Sequence, residues 1–281
     1  MTNVPLDPRV HPFRADIAAS FLKGRVDAAR YTDGTPRRVV VGVLDVRSAP
    51  DVIATRITQG LFGEIFIVHE EAGGWAWGQA QVDGYVGYVR ADGLGDLDEV
   101  NHEVIALRSF AFVKPDIKTE AAVTLHMTSR VRVIERFGAL CLTDAGGWVP
   151  AMHLAPIGKV EEDHVTVARR FVGAPYLWGG RSSLGVDCSA LVQLALARTG
   201  RSAPRDSDQQ ETGLGRMVEG DITAACPGDL IFMPGHVGII SSPGCVLHAN
   251  AHHMAVTEEP IDVLLERINS IDLAVTTVRR P

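Results

Sequence analysis

The chain has 281 residues and a formal net charge of -7, with 46% hydrophobic and 22% charged residues. This length allows two or three domains, and the composition is that of a globular protein. The acidic balance argues against nucleic acid as a partner and against a strongly basic binding surface. No run of residues approaches the roughly 18 apolar positions of a membrane span, so we expect no membrane partner.

The first 29 residues are predicted to form a short helical segment. Within residues 12–24, apolar side chains recur at a spacing that would place them on one helix face. These residues are Ile17, Ala18, Phe21 and Leu22. The start of the chain lacks the charged stretch and uninterrupted apolar core of a signal peptide. If Met1 is the native start, we therefore expect a cytoplasmic protein.

Residues 30–98 are predicted to form a small β-barrel. Short strand-like runs alternate here with turns at residues 73–74 and 83–84. The predicted strands cover residues 38–44, 64–68, 75–80 and 85–89. Several brief strands with regular turns and few helices are typical of a small barrel or sandwich.

The same pattern repeats more weakly over residues 99–157. Predicted strands at 104–107, 130–134 and 140–142 lead to a Gly-Gly-Trp sequence at 146–148, which matches the one at 73–75. The second copy has no counterpart to the Tyr-x-Gly-Tyr turn at 85–88. The repeat nevertheless predicts two similar β domains in tandem.

A third domain is predicted over residues 158–281. It opens with a helix that follows the acidic residues 161–163 and ends near Gly173. A glycine-rich loop then leads to Asp187-Cys188-Ser189 and to a second helix rich in Ala and Leu. Gly200 is a fitting terminator for that helix.

Cys188 is the candidate nucleophile of this domain. A thiol in the first turn of a helix lies at the positive end of the helix dipole, which favours the thiolate. We therefore expect its pKa to lie below the ordinary value of about 8.5. Most cysteines are instead small buried hydrophobes, and we interpret Cys141, Cys226 and Cys245 in that way. Whether any of these three forms a disulfide stays open.

Two histidines downstream can supply a base and a group that orients it, as a nucleophilic cysteine requires. Residues 227–240 are predicted to form two strands joined by a turn at Pro234-Gly235, and His236 opens the second strand. Residues 245–250 form a further predicted strand, which carries His248. Either histidine alone would more simply be a surface or core residue.

Together these motifs resemble those of the NlpC/p60-type cysteine peptidases, which are papain-like enzymes that cut peptidoglycan stem peptides. The matching segments, in order, are Tyr176-x-Trp178-Gly179-Gly180, Asp187-Cys188-Ser189, Gly228-Asp229-Leu230, His236-Val237-Gly238-Ile239 and His248-Ala249. The resemblance implies Cys188 as nucleophile, His236 as general base and His248 as the residue that orients the base. It also implies that Tyr176 shapes the site near the oxyanion, with Asp187 and Ser189 assigned to substrate binding.

The implied fold class is α+β. A papain-like catalytic domain, with a helix packed on a small antiparallel sheet, would follow two small SH3-like β-barrels. This layout is similar to that of the recycling-type γ-D-glutamyl-L-diamino acid endopeptidases. Such enzymes act on stem peptides with a free N-terminal L-Ala. They cleave the bond between D-Glu and the diamino acid, which is diaminopimelate or lysine, and release L-Ala-D-Glu. They need no metal or organic cofactor. The expected partner is therefore a peptidoglycan-derived peptide.

The resemblance also implies four residues that bind the N-terminal L-alanine of the substrate: Asp206, Ser207, Tyr85 and Glu64. A buried ammonium group needs a compensating carboxylate and full hydrogen bonding. Each residue also has a simpler interpretation, since Asp206 can cap a turn, Glu64 can be a solvated strand residue and Tyr85 can be half-buried packing.

Three other functions fit parts of the sequence. A zinc hydrolase would use Cys188 with several histidines (His236, His248, His252 and His253), although their spacing matches no HExxH-like motif. A different thiol amidase or acyltransferase on the same fold is a closer alternative. The third is a wall-binding protein or a hydrolase of intact peptidoglycan, in which the SH3-like domains provide the main binding surface.

Overall fold

The structure, a computed structural model, describes residues 5–219 and 222–281. The first four residues of the predicted segment 1–29 therefore lie outside the described residues. The chain divides into two compact units, Met1–Ile157 and Gly158–Pro281, and each is described by itself. Among the helices in the described ranges, none has the length and apolarity that crossing a membrane requires.

The first unit is built almost entirely of strands. Its first part contains β1 (Ile17–Ala19), β2 (Arg30–Thr32), β3 (Thr35–Val39), β4 (Val43–Arg47), β5 (Arg56–Leu61), β6 (Ile65–Ala72), β7 (Trp75–Ala80), β8 (Val86–Arg90) and β9 (Leu94–Gly95). Its second part contains β10 (His102–Val104), β11 (Arg108–Phe112), β12 (Ala121–His126), β13 (Arg130–Val131), β14 (Val133–Phe137), β15 (Leu140–Thr143), β16 (Gly147–Pro150) and β17 (Leu154–Pro156).

The helix predicted over residues 12–24 is wrong. Within this fully described range the chain forms β1, which pairs in parallel with β2, and then a short 3₁₀ turn at Ser20–Leu22. Three consecutive residues, Ile17–Ala19, are buried, whereas Phe21 is 62% exposed. Continuous burial of neighbouring residues is typical of a strand covered on both faces, and it overrides the helical spacing of the apolar side chains.

The first β domain is a seven-stranded antiparallel sheet with the order β5-β4-β8-β7-β6-β3-β9. Its inner face buries an apolar core that includes Val39, Val46, Phe66 and Val89. The single strand predicted over 38–44 is in fact two, because the chain changes partners after Val39: β3 pairs with β6 and β9, whereas β4 pairs with β5 and β8. The predicted strands at 64–68, 75–80 and 85–89 are confirmed as β6, β7 and β8.

The second β domain repeats this strand order. One sheet has the order β12-β11-β16-β15-β14 and another has the order β13-β10-β17. If β13 and β14, which are separated by one residue, are taken as one bent strand, each strand matches its counterpart in the first domain. A 3₁₀ turn precedes the last strand in both cases, at Ala91–Gly93 and Ala151–His153. The internal repeat seen in the sequence is therefore a repeat of topology.

A buried ion pair joins the two β domains. Arg38, in β3, donates a short hydrogen bond to Asp144, which follows β15, and donates a second bond to the Arg130 carbonyl at 3.2 Å. The Arg38 guanidinium also stacks over the Phe62 ring at 5.0 Å, and Phe62 belongs to the apolar core of the second domain. The two domains therefore share buried polar and apolar contacts within one unit.

The second unit combines four α-helices of the described residues with one main sheet. Its elements are α1 (His164–Arg169), β18 (Arg181–Ser182), β19 (Gly185–Val186), α2 (Cys188–Arg198), α3 (Ser207–Gly213), β20 (Arg216–Met217), β21 (Leu230–Met233), β22 (His236–Ser242), β23 (Cys245–Asn250), β24 (Ala255–Pro260), α4 (Ile261–Asn269) and β25 (Thr277–Arg280). The six-stranded sheet has the order β20-β25-β21-β22-β23-β24, and all its pairs are antiparallel.

The elements predicted around Cys188 are confirmed. Helix α2 begins at Cys188, and β21 and β22 form the hairpin that turns at Pro234-Gly235. Strand β24, helix α4 and strand β25 were not predicted. Leu264 and Ile268 of α4 pack against Ile231, Ile240 and other apolar residues of the sheet.

Candidate active site

Cys188 is the first residue of α2, and Asp187 caps that helix. The Asp187 carboxylate accepts hydrogen bonds at 2.9 Å from the Ala190 N–H and from the Gly179 N–H. The first bond satisfies one of the amide groups that a helix leaves without an internal partner, and the second ties the glycine-rich loop to the helix. The loop and the cap together fix the position of the thiol.

Helix α2 is buried along nearly its whole length, as expected for a helix that is apolar on all sides. It ends with the two hydrogen bonds of a Schellman motif, from the Gly200 N–H to the Ala197 carbonyl and from the Arg201 N–H to the Leu196 carbonyl, both at 3.0 Å. Gly200 has φ +77°, which an L side chain rarely adopts. The predicted terminator is thus confirmed, and the helix presents Cys188 from a rigid support.

Arg205 lies behind the nucleophile and holds the cap in place. Its guanidinium donates to the two Asp187 carboxylate oxygens at 3.0 and 2.6 Å, and to the Ser189 hydroxyl at 2.9 Å. Arg205 is among the largest fully buried side chains of the protein. The side chains of Asp187 and Ser189, which the resemblance assigned to substrate binding, are thus buried and engaged with Arg205.

The thiol of Cys188 is buried, and this changes its acidity. Burial raises the pKa of Cys188 to about 12, and the Asp187 carboxylate adds to the increase. The N–H groups of Val237 and Ser189 and the charge of Arg205 act in the opposite direction but do not outweigh burial. The expected lowering of the pKa by the helix dipole is therefore wrong for the free protein. At neutral pH the resting group is a thiol.

The two predicted histidines lie next to each other on neighbouring strands. His236 opens β22, and its Nε2 is 2.9 Å from Nδ1 of His248 in β23. The rings meet edge to face, with 5.1 Å between their centroids. A Cβ at Gly238 would lie 2.6 Å from Val246 Cγ2 and 3.5 Å from the His248 Cβ. Glycine at this position therefore lets β22 pack closely against Val246, which lies on β23 two residues before His248.

The row of hydrogen bonds continues to Glu259, a residue that the sequence analysis did not single out. The His248 Nε2 is 2.8 Å from Oε1 of Glu259, which lies in the next strand, β24. Arg267 of α4 in turn donates to both Glu259 oxygens, at 2.9 Å to Oε2 and over a shorter distance to Oε1. Three adjacent strands and one helix thus supply a continuous chain of polar groups that begins at His236.

Both rings of the pair are neutral at physiological pH. Burial lowers the pKa of His236 to about 3, and the charges of His248 and Arg267 add to this. Burial also lowers the pKa of His248 to about 4, against the opposing effect of Glu259. Because the thiol and both imidazoles are neutral, proton transfer from sulfur to nitrogen must accompany nucleophilic attack.

Tyr176 precedes the glycine-rich loop and is half-buried. Burial raises its pKa to about 12, and the charges of Cys188 and Asp187 contribute further. The phenol therefore stays protonated, and it lies close enough to Cys188 for a thiolate there to raise its pKa further. A neutral phenol is a hydrogen-bond donor, which is the property needed beside an oxyanion.

The residues predicted to bind the substrate N-terminus lie in both units. In the second unit, Asp206 and Gln209 form a capping box at the start of α3, and Ser207 is the first residue of that helix. In the first unit, Glu64 is buried and its Oε2 accepts the Leu61 N–H at 2.9 Å. Tyr85 is also buried. The interpretation of Glu64 as a solvated strand residue is therefore wrong.

All four cysteines are free thiols. Cys141 is buried, as predicted, and belongs to the core of the second β domain. Cys226 is exposed and Cys245 is only partly buried, so their assignment as core hydrophobes is wrong. Cys226 lies in the turn before β21, where its N–H donates to Asp229 at 2.8 Å and its side chain faces outward.

Comparison with known protein families gives one match in each unit of the chain. Residues 173–267 match the NlpC/P60 family, and residues 46–94 match the bacterial dipeptidyl-peptidase Sh3 domain. The first match contains Cys188, His236, His248 and Glu259, and the second contains Glu64 and Tyr85.

Similar full-length proteins are known from several bacteria. A probable endopeptidase of Corynebacterium glutamicum is 34% identical over 118 residues, which cover 41% of this chain and 55% of that protein. The γ-D-glutamyl-L-lysine dipeptidyl-peptidase of Bacillus subtilis is 27% identical over 215 residues, which cover 68% of this chain and 71% of that protein. The chain thus spans only about half the length of the corynebacterial protein.

The fold also occurs in a solved structure. A crystal structure of an NlpC/P60 family protein from Bacillus cereus matches with a TM-score of 0.74 and 19% sequence identity, over 88% of this chain and 99% of that one. The resemblance inferred from the motifs is therefore confirmed. The chain carries an NlpC/P60 domain of the cysteine peptidase class, preceded by a bacterial dipeptidyl-peptidase Sh3 domain.

Proposed function

We propose that the protein is a γ-D-glutamyl-L-diamino acid endopeptidase that acts on peptidoglycan stem peptides with a free N-terminal L-Ala. The observation that carries this proposal is the hydrogen-bonded pair of His236 and His248 in an NlpC/P60 domain that also holds Cys188 at the start of α2. The Sh3 domain match and the γ-D-glutamyl-L-lysine dipeptidyl-peptidase relative support the choice of substrate. The product is L-Ala-D-Glu, and the biological role is recycling of wall peptides in the cytoplasm.

The proposed reaction begins with Cys188. Its sulfur attacks the carbonyl carbon of the γ-D-glutamyl amide while the thiol proton passes to His236. Since Nε2 of His236 is engaged with His248, Nδ1 is the ring nitrogen that takes this proton. The Cys188 N–H, at the first position of α2, and the Tyr176 phenol stabilise the oxyanion.

The remaining steps return the enzyme to its starting state. Protonated His236 gives its proton to the amine of the diamino acid, so that the C–N bond breaks and a thioester to Cys188 remains. Water then attacks the thioester, and its proton again passes through His236. The thiol is regenerated and L-Ala-D-Glu leaves. General acid–base catalysis of this kind contributes about 10²–10⁴-fold to the rate.

We further infer that residues 99–157 form a second SH3-like domain. The support is the shared strand order, with β10 to β17 following the topology of β3 to β9. The shared 3₁₀ turn before the last strand, at Ala91–Gly93 and Ala151–His153, supports the same conclusion. The papain-like unit is thus proposed to follow two SH3-like barrels.

The role of Asp206, Ser207, Glu64 and Tyr85 in binding the substrate ammonium is also part of the proposal. Asp206 contributes a carboxylate at the edge of α3 and adjoins Arg205, which is bonded to the cap of the catalytic helix. Glu64 contributes a buried carboxylate within the matched Sh3 domain. An ammonium group that loses water on binding requires such acceptors.

The test uses the tripeptide L-Ala-γ-D-Glu-meso-diaminopimelate, with its amine either free or acetylated, and the matching peptide that ends in L-lysine. Products are identified by mass spectrometry, and the Cys188→Ala variant is the control for thiol chemistry. We expect L-Ala-D-Glu from the free peptides and much slower cleavage of the acetylated ones. Cleavage of the acetylated forms at the same rate would reject recognition of the amine, and cleavage of none of them would reject the proposed peptidase activity.

A further inference from the structure

Glu259 occupies a position in the sheet that lets its carboxylate reach the His248 ring. Strands β23 and β24 pair with Val246 opposite Glu259 and His248 opposite Thr257. Glu259 is therefore a diagonal neighbour of His248 on the same face of the sheet, a relationship that brings long side chains into contact. The adjacent Glu258 points to the other face, where it accepts from Arg169 and from the Ser241 hydroxyl.

The charge state of Glu259 decides the direction of the hydrogen bonds. Although burial opposes it, the hydrogen bond from Arg267 lowers the pKa of Glu259 below its ordinary value. The group is then an ionised carboxylate, which only accepts hydrogen bonds. The ring nitrogen that faces it, Nε2 of His248, must therefore carry the proton.

This constraint passes along the row to the general base. A neutral imidazole has one N–H and one acceptor nitrogen, so a proton on Nε2 leaves Nδ1 of His248 as an acceptor. The Nε2 of His236, 2.9 Å away, must then be the donor. As a result Nδ1 of His236 is left without a proton, and it is the nitrogen that can take one from the thiol.

The geometry points to Glu259 as a positioning residue that sets the tautomer of both histidines and so makes His236 a base toward Cys188. Arg267 is its anchor, because it holds both carboxylate oxygens from helix α4. The inference rests on the proposed function of the same site. It extends the predicted set of Cys188, His236 and His248 by two residues that reach the site from β24 and α4.

Two variants of Glu259 test this role in the full chain. Glu259→Leu removes both acceptors. Glu259→Gln keeps the shape of the side chain but removes its charge and replaces one of the two acceptor oxygens with an NH₂ donor, although His248 and Arg267 make three donor contacts to the wild-type carboxylate. The protonated nitrogen of each ring is read from long-range ¹H–¹⁵N correlation spectra at neutral pH, with His236→Gln and His248→Gln used for assignment.

In the wild type we expect a proton on Nε2 of both rings. In Glu259→Leu and Glu259→Gln we expect His248 to populate the Nδ1–H form, and the alkylation rate of Cys188 by iodoacetamide to fall at least about 10-fold. This is less than the roughly 10²–10⁴-fold that a general base contributes, because His236 itself remains. The matched control is Glu258→Gln. It removes a carboxylate that lies one residue away from Glu259 and is also paired with an arginine. It should leave both readouts unchanged.

Neither readout needs the peptide substrate, so the inference can be judged even if the proposed peptidase activity fails. Thermal unfolding of each variant checks that the fold persists, and Glu259→Gln is the variant that decides if Glu259→Leu does not fold. Unchanged tautomers and an unchanged alkylation rate in Glu259→Gln would overturn the inference. An equal fall in Glu258→Gln would also overturn it, because the effect would then be one of general charge.

Discussion

Arg205 and Asp187 form a buried, two-bonded ion pair directly behind the candidate nucleophile, with contacts of 3.0 and 2.6 Å. The pair links two consecutive parts of the site. Asp187 caps α2 next to Cys188, and Arg205 precedes Asp206 at the start of α3. The position of the thiol is thus coupled to the segment proposed to bind the substrate N-terminus.

The first prediction concerns the stability of this pair. Arg205→Met leaves the Asp187 carboxylate buried without its counter-charge, and removal of one partner of a buried ion pair costs about 3–5 kcal/mol. The double variant Asp187→Asn with Arg205→Met should be less destabilised than the sum of the two single variants. Amide hydrogen exchange along α2 measures this, since overall unfolding would combine two units. Strictly additive losses would contradict the coupling.

The sequence was sufficient where the signal was local. The acidic cap before Cys188, the apolar run after it and Gly200 all lie within α2 or next to it, and the turn at Pro234-Gly235 lies within one hairpin. Each of these features depends on residues a few positions apart. The prediction of an N-terminal helix was wrong because the deciding contact is not local. Ile17–Ala19 pairs with β2, which lies more than ten residues further along the chain.

The rest of the site depends on pairing that no local pattern indicates. Glu259 and Arg267 come from β24 and α4, neither of which was predicted. Glu259 reaches His248 because the two are diagonal neighbours on paired strands, and Arg267 in turn reaches Glu259. The pKa of Cys188 was also predicted wrongly. The helix dipole is visible in the sequence, but the burial that outweighs it is a property of the folded unit.

The second prediction follows from the raised pKa of Cys188. The thiol is the resting form, so its alkylation by iodoacetamide should increase continuously from about pH 7 to about pH 10, since the thiolate is the nucleophile. A preformed thiolate and imidazolium pair would instead give a plateau near neutral pH. Mass spectrometry of the modified peptides separates Cys188 from Cys226, which is exposed and serves as the reference thiol in the same sample.

The third prediction concerns stability in acid. The pKa values of His236 and His248, about 3 and about 4 in the folded protein, lie below the ordinary value of 6.5. Between about pH 4 and pH 6.5 the unfolded chain therefore binds more protons than the folded chain. The stabilising contribution present above pH 6.5 is lost as the pH falls toward 4. We expect the second unit to lose several kcal/mol of stability, because each of the two rings contributes about 1.4 kcal/mol per unit of pKa shift.

The measurement for this third prediction is urea unfolding of the second unit at a series of pH values, followed by hydrogen exchange in β22 and β23. His248→Gln removes one of the two groups and should give a shallower dependence on pH. His252→Gln is the control, because His252 is exposed and should leave the slope unchanged. A wild-type slope of zero between pH 6.5 and pH 4 would contradict the burial of neutral rings.

The fourth prediction concerns recognition of the substrate amine. Asp206→Asn removes the negative charge at the start of α3 but keeps a side chain that can cap the helix, so the fold should persist. If Asp206 binds the ammonium of the N-terminal L-Ala, KM for the free tripeptide should rise at least about 10-fold, the low end for loss of a charged hydrogen bond. The acetylated peptide carries no charge there, and its slower cleavage should not change further.

A matched variant separates this effect from a general change of charge. Asp208→Asn removes a carboxylate from the first turn of the same helix, two residues away and exposed, and should leave KM for both peptides unchanged. The kcat of Asp206→Asn should stay close to that of the wild type, because the amine lies away from the bond that breaks. Equal losses of kcat/KM on the free and the acetylated peptide would show that Asp206 supports the site through Arg205 and α3 and does not bind the amine.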